Sequence, residues 1–160
     1  MKLFFLFMIV MFSYSVLLSQ ENKSVNEEKI PLFEAGVILG EPVGLNIKYW
    51  YSELSATDFG AAWSFTENGI AEIFSNFLIH FFRLENDYGL FPFFSGGGLS
   101  LRIGDDWFFG VQIPIGAEWI TAKVPFSITG QIAPQWQLVP KNRFVMSGGL
   151  AVRLRFGTVR

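Results

Sequence analysis

Cysteine is absent from this chain of 160 residues, and His80 is its only histidine. The absence of cysteine excludes disulfide bonds, thiolate metal ligands, a cysteine nucleophile and a lipidated N-terminal cysteine. A single histidine also leaves few nitrogen ligands for a metal site. The sequence therefore predicts no metal-binding or cofactor-binding residues, and we expect no cofactor.

Charged residues are also scarce. They make up 16% of the chain, whereas soluble domains average about 25%. The net charge is −2, which provides no basic patch and argues against a nucleic-acid partner. The chain is instead rich in aromatic residues, with 19 phenylalanines and 5 tryptophans. This balance indicates that much of the surface does not meet water.

The N-terminal segment has the composition of a secretory signal peptide. An apolar run follows Lys2, and it is shorter than the roughly 20 residues that a spanning helix needs. We expect cleavage near Ser19 or Gln20, and an uncleaved anchor is the alternative. The next stretch is polar and without period, which is typical of a flexible tail. We predict a signal peptide over residues 1–20, a flexible tail over 21–31 and one folded domain over 32–160.

From Leu32 onward, apolar and polar residues alternate in eight segments separated by turn residues. In VGLNIKYWY, for example, bulky apolar residues fall on one face, while Gly44, Asn46, Lys48 and Trp50 fall on the other. This period of two predicts β-strands, and short turns predict antiparallel neighbours. An even number of long strands favours closure. The predicted fold class is all-β, an eight-stranded antiparallel up-and-down β-barrel.

The two faces of the predicted strands indicate which side faces lipid. The more polar face carries mainly small residues and eight charges, four acidic and four basic, which suits the narrow interior of an eight-stranded barrel. The opposite face carries bulky aromatic residues toward strand ends, as in transmembrane barrels. We therefore predict a transmembrane barrel, with a soluble exported barrel or sandwich as the alternative. The predicted interior charges are Glu34, Lys48, Asp58, Glu72, Arg102, Glu118, Arg153 and Arg155.

These charges are expected to form ion pairs inside the barrel, because an unpaired buried charge is costly. Closure makes the first and last strands neighbours, and this places an acid of one beside the bases of the other. The predicted pairs are Glu34 with Arg153 or Arg155, Lys48 with Asp58, Glu72 with Arg102, and Glu118 with the remaining arginine.

His80 falls on the inward face of the fourth segment, and we expect a hydrogen-bonded interior histidine there. The alternative is the general base of a lipid hydrolase, but such a site must face lipid near the outer leaflet. For the acids Glu34, Glu72 and Glu118, the alternative to interior ion pairs is that two of them form a catalytic carboxylate pair. The sequence shows no nucleophile–base constellation at the outer rim. We predict no catalytic residues and no enzymatic activity.

Several short motifs resemble a family of small Gram-negative outer-membrane β-barrels of uncharacterised function. They are GEPVGLNIKYW, NFLIH, FPFFSGGGLSLRI, GVQIPIGAEW and FSITGQIAP. The order is similar to the family's pattern, although Asn76, Gln112 and Gln131 stand where the pattern has Asp, Arg and Glu. The last two changes would replace a charged interior pair by a neutral one. The resemblance implies the fold and an outer-membrane location, and it implies no activity.

The C-terminal segment resembles the strand that the barrel-assembly machinery reads in outer-membrane proteins. That signal is a polar residue, a glycine and then alternating hydrophobic residues. An ordinary closing strand without signal content is the alternative. The residues that match the signal are Ser147, Gly149, Val152, Leu154 and Phe156.

Three functions are compatible with these features. The first is a structural or interaction role in the cell envelope, for an outer-membrane barrel with a plugged, charge-balanced interior. The others are a narrow or transport-associated pore and a lipid-modifying enzyme. A small barrel filled by side chains is a poor pore, so we favour the first. The expected partners are outer-membrane lipid, the assembly machinery during biogenesis, and an unidentified envelope or host-surface component.

Overall fold

The computed structural model describes residues 32–40, 42–64, 70–104 and 107–157 of the chain. The predicted signal peptide and tail, residues 1–31, lie outside the described residues. Nine β-strands account for most of the described part. Their bounds are β1 Phe33–Leu39, β2 Val43–Trp50, β3 Ser55–Trp63, β4 Ala71–Asn86, β5 Gly89–Ile103, β6 Phe108–Gln112, β7 Ile115–Thr121, β8 Phe126–Val139 and β9 Arg143–Phe156.

All the strand pairings are antiparallel, and the sheet closes on itself. β1 pairs with β2 on one side and with β9 on the other, so the first and last strands meet. β6 and β7 together occupy one position between β5 and β8. The result is a closed ring of eight strands, which confirms the prediction of an all-β, antiparallel, eight-stranded closed sheet. Among the described residues there is no helix long and apolar enough to cross a membrane.

The sixth of the eight alternating segments, WFFGVQIPIGAEWI, predicts one continuous strand over residues 107–120. The structure corrects this prediction, because two strands form there. The break falls at Ile113 and Pro114, between β6 and β7. Proline has no N–H to donate to a neighbouring strand. The Pro114 carbonyl still accepts from the Gly96 N–H, and the Ile113 N–H donates to the Pro134 carbonyl, both at 3.0 Å. These two bonds keep the two halves in one strand position.

The fourth and fifth strands are longer than their sequence segments indicated. The fourth alternating segment, IAEIFSNFLIHFFR, ends before LENDYG, which predicts a turn at LENDYG. In the structure, β4 continues to Asn86 and β5 begins at Gly89. The pairing of β4 with β5 shifts register between His80 and Phe82, which marks a β-bulge. Phe81 and Phe82 consequently both lie on the exposed side. The bulge shifts the phase of the alternation, so the sequence of this segment does not follow one continuous period of two.

Burial alternates along the strands, and this alternation defines the two faces of the ring. Along β2, for example, Gly44, Asn46, Lys48 and Trp50 are buried and the residues between them are exposed or half-buried. The buried face points into the ring. We call the end where β1 begins and β9 ends the terminal end, and the opposite end the distal end.

Candidate functional site: the interior of the ring

A group of buried apolar side chains lies inside the ring near the terminal end, and we call it the terminal layer. The indole of Trp50 is 1% exposed and donates from Nε1 to Glu34 Oε1 at 2.8 Å. Its ring also contacts the imidazole of His80, with 4.3 Å between centroids. This packing closes the terminal end with large side chains. The terminal layer consists of Trp50, Ala56, Leu90, Phe94 and Ile120.

A cluster of buried charges lies next to the terminal layer, and we call it the central cluster. At its centre, Lys48 Nζ lies 2.5 Å from Glu118 Oε2, with both side chains fully buried. The Lys48 ammonium also lies 4.0 Å from the centroid of the Trp50 ring. Such a cation–π contact stabilises an ammonium that has left water. The members of the central cluster are Glu34, Lys48, Asp58, Glu118 and Arg153.

Arg153 connects the three carboxylates of the central cluster. Its Nη1 lies 3.2 Å from Glu118 Oε1 and 3.9 Å from Glu34 Oε2, and its Nη2 lies 3.8 Å from Asp58 Oδ1. The Nε–H donates to Asn46 Oδ1. Because one guanidinium has five donors in a planar fork, it can contact several acceptors at once. Arg153 is therefore the hub of the cluster.

Neutral side chains complete the hydrogen bonding of the carboxylates. Ser127 Oγ donates to Glu34 Oε2 at 2.6 Å, and Thr129 Oγ1 donates to Glu118 Oε1 at 3.0 Å. Asn46 Nδ2 donates to Asp58 Oδ1. These donors lower the cost of burying charge, which a single ion pair rarely offsets.

His80 is buried inside the ring, on the inward face that the sequence predicted. Its Nε2 lies 3.2 Å from Lys48 Nζ and 3.9 Å from Glu118 Oε2. Phe94 covers the ring from another side, with centroids 5.4 Å apart. The contacts of His80 are therefore with the central cluster and the terminal layer. Among the described residues, no group of three or more His, Asp or Glu could hold a metal ion.

Amide and charged side chains fill the interior toward the distal end, and we call them the distal layer. Arg102 Nη2 lies 2.8 Å from Glu72 Oε2. Gln135 Nε2 lies 2.9 Å from both Glu72 Oε1 and Gln112 Oε1, and Gln112 Nε2 donates to Asn76 Oδ1 at 2.6 Å. The distal layer consists of Glu72, Asn76, Arg102, Gln112 and Gln135.

A cavity of about 60 Å³ lies between the distal layer and the central cluster. Its lining includes Asn46 and Arg153 on the side of the cluster, and Gln131, Gln135 and Ser147 among the other polar side chains. The oxygens Oε1 of Gln131 and Gln135 are buried, and neither has a hydrogen-bond partner. The interior of the ring is therefore packed at the terminal end and looser toward the distal end.

The predicted ion pairs are present in part. Glu72 and Arg102 lie together as expected, and Glu34 lies beside Arg153, one of its two predicted partners. The predicted pair of Lys48 and Asp58 is wrong. The two residues are directly opposite on β2 and β3, but the ammonium of Lys48 reaches across the interior to Glu118 instead.

The expected partner of Glu118 is corrected as well. Glu118 does not take the arginine left over by Glu34, because both acids share Arg153. Arg155 is opposite Glu34 in the β1–β9 register, yet its guanidinium donates to the carbonyls of Thr121 at 2.6 Å and Val124 at 2.9 Å. Arg155 thus binds backbone at the terminal end and is not a member of the central cluster.

The residues of the predicted assembly signal all lie on β9, which pairs with β8 over most of its length and with β1 from Leu150 to Phe156. Leu154 and Phe156 are exposed, and Val152 is half-buried on the same outward face. Ser147 and Gly149 lie on the inward face. Recognition of this strand by assembly machinery stays a prediction.

Neutral members of the network were not singled out from the sequence. Trp50, Ser127 and Thr129 bind the buried acids, and Gln135 joins Glu72 to Gln112. Period two placed Trp50 on the inward face, and no local motif marked it as a partner of Glu34. Gln112, which was expected to form a neutral pair with Gln131, binds Asn76 and Gln135 instead. Alternation along the strands does not tell which inward residues of different strands lie at the same level along the axis of the ring.

The described interior residues form a packed network of ion pairs and hydrogen bonds, and their geometry alone does not indicate a reaction. Comparison of the chain with protein-family models, with curated proteins and with solved structures found no match.

Proposed function

We propose that the ring is a transmembrane β-barrel of a Gram-negative outer membrane, with a plugged interior and a structural or interaction role in the cell envelope. The observation that carries this proposal is the inverted distribution of polarity between the two faces of the ring. Charges are buried inside, and large apolar side chains are exposed outside.

The outward face supports contact with lipid along the whole sheet. In the described strands, every charged residue has the inward phase of the alternation, and no outward-facing position is charged. Leu45, Ile47, Phe77 and Leu150 are each more than two-fifths exposed. Exposed apolar patches on soluble monomers rarely exceed a few hundred Å². An apolar face that continues around a closed ring is typical of a protein surrounded by lipid.

The energetics of the interior agree with this orientation. An arginine that faces lipid at mid-membrane costs about 2–4 kcal/mol. Arg153, however, lies inside the ring beside three carboxylates. A water-soluble ring would gain by exposing these charges and burying the apolar face. The alternative of a soluble exported barrel therefore accounts for neither face.

The packing of the interior favours a structural or interaction role over a pore. Trp50, Phe94 and Ile120 fill the terminal end, and the central cluster lies next to them. Eight-stranded barrels are just wide enough for side chains to fill the interior. A lipid-modifying enzyme is less well supported, because His80 points into the ring and away from the outward face.

The proposal is tested by fractionation of cells that express the full chain, together with gel migration of heated and unheated samples. We expect the chain in the outer-membrane fraction after high-salt washing, and slower migration after heating because a closed barrel resists unfolding by detergent. Ile47→Lys, on the outward face, should lower the amount recovered in that fraction, whereas Lys123→Met, at an exposed position outside the strands, should not. A wild-type chain found wholly in the soluble fraction, with migration unaffected by heating, would contradict the proposal.

A further inference from the structure

We propose that the distal half of the interior is a blind-ended, water-filled vestibule, with the central cluster as its floor and the terminal layer, including Trp50, closing the interior beyond that floor. This inference rests on the proposed function in one respect only, because the membrane location decides into which compartment the vestibule opens. The vestibule itself is defined by the cavity between the distal layer and the central cluster.

The size and polarity of the cavity fit water. A volume of about 60 Å³ is more than the roughly 10–15 Å³ of accessible space that one water needs. Gln131 Oε1 and Gln135 Oε1 belong to cavity-lining residues, and they are buried without partners. Buried polar atoms nearly always have a hydrogen-bond partner, whether protein or ordered water. Waters in the cavity would supply the missing donors.

The distal end is the open side of this space. The side chain of Arg102 is 21% exposed although its partner Glu72 is only 6% exposed. Gln131 and Ser147, which line the cavity, are half-buried. The partly exposed inward side chains of Arg102, Gln131 and Ser147 thus lie on the distal side of Arg153, which is 2% exposed.

The terminal layer closes the other end. Ala56 on β3 is directly opposite Trp50 on β2 and has no exposed surface. The indole of Trp50 is fixed by its hydrogen bond to Glu34 and by its contact with His80. Ala62 is on the same inward face of β3 as Ala56, but it lines the cavity. On β3, Ala62 therefore faces the vestibule, whereas Ala56 belongs to the terminal layer.

The chain has no cysteine, so single cysteines can report access to each end. Ala62→Cys and Ala56→Cys make the same chemical change on the same face of one strand. We would react both variants in detergent micelles with 2-aminoethyl methanethiosulfonate, and measure the total thiol after unfolding. Ala62→Cys should be modified, and Ala56→Cys should stay unmodified in the folded protein. Equal modification of both, or none at Ala62→Cys, would overturn the vestibule.

The role of Trp50 in closing the terminal end is tested by adding Trp50→Ala to Ala56→Cys. Removal of the indole should make the cysteine reactive, and heat-modifiable migration would establish that the ring still forms. If the alanine variant does not fold, Trp50→Leu is used in its place. A cysteine that stays unreactive in the folded double variant would show that Trp50 does not close the terminal end.

Failure of the vestibule and failure of the membrane proposal are distinguishable. Ile47→Cys lies on the outward face, and in lipid vesicles it should be protected from the aqueous reagent. If Ile47→Cys reacts as fast as the exposed Lys123→Cys, the membrane proposal fails. The comparison of Ala62→Cys with Ala56→Cys then still decides the vestibule.

Discussion

The three buried acids at the centre of the ring are each bound by a cation together with a neutral donor. Glu34 takes Trp50 and Ser127 besides Arg153, and Glu118 takes Thr129 besides its two cations. Taking a charge out of water costs several kcal/mol even in a relaxed protein site. These extra bonds therefore offset part of that cost, together with the ion pairs.

Lys48→Met should be strongly destabilising, because it leaves Glu118 with one of its two cations and removes the ammonium from the Trp50 ring. Loss of one partner of a buried pair typically costs about 3–5 kcal/mol. Urea unfolding in detergent micelles measures this loss, with the exposed Lys123→Met as the matched control. The double variant Lys48→Met/Glu118→Gln should recover part of the stability. An unfolding midpoint unchanged by Lys48→Met would contradict the buried pair.

Arg102→Met should cost less than Lys48→Met, although both remove one cation from an ion pair. The side chain of Arg102 is 21% exposed, so water can solvate Glu72 when its partner is lost. Surface ion pairs contribute about 0–1 kcal/mol, and we expect a loss between that range and the buried one. The same urea titration ranks the two variants. A larger loss for Arg102→Met would contradict the placement of the pair at the open end.

At the scale of the strands, small inward residues allow the sheet to close tightly. A Cβ built on Gly36 of β1 would lie 1.9 Å from the backbone oxygen of Val152 on β9. Backbone atoms cannot rotate away as a side chain can. Glycine at this position is therefore a requirement of the seam where the first and last strands meet.

Gly36→Ala should destabilise the ring by about 1–3 kcal/mol, the usual cost of inserting a methyl group into a packed site. Gly97→Ala is the matched control, because a Cβ at this outward glycine of β5 meets no atom within 4 Å. The fraction of heat-modifiable protein after refolding, together with the urea midpoint, measures both. If Gly97→Ala is as harmful as Gly36→Ala, the close approach at the seam is not the cause.

Alternation along the strands was sufficient to predict the ring and the inward face of each charge. It could not predict that Lys48 reaches Glu118, because that contact crosses the interior between β2 and β7. Which residues meet across the interior depends on the tilt and stagger of all the strands. The alternation of apolar and polar residues contains no information about either. The break at Pro114 could have been predicted from the sequence, because proline cannot donate a hydrogen bond to a neighbouring strand. The extension of β4 to Asn86 was hidden by the phase shift of the bulge.

At the scale of the whole molecule, the ring is closed by the pairing of β1 with β9, in which Ala35 is opposite Leu154. The cysteines of Ala35→Cys/Leu154→Cys should form a disulfide on oxidation, because opposed residues of antiparallel strands have Cα atoms about 4.5–5.5 Å apart. The cross-linked ring should resist unfolding by heat in detergent until it is reduced. Ala35→Cys/Leu150→Cys, out of register, is the control. Equal cross-linking of both pairs would contradict the register of the seam.

The central claim is that the outward face meets lipid and the inward face does not, and two tryptophans report on it directly. Trp136 is outward and 48% exposed, whereas Trp50 is inward and 1% exposed. Variants that keep only one of these tryptophans would be reconstituted into vesicles of phospholipids with brominated acyl chains, which quench indoles in contact with them. The fluorescence of Trp136 should be strongly quenched, and that of Trp50 should match its value in unbrominated vesicles. Fluorescence from Trp136 that brominated lipid leaves unchanged would contradict the account.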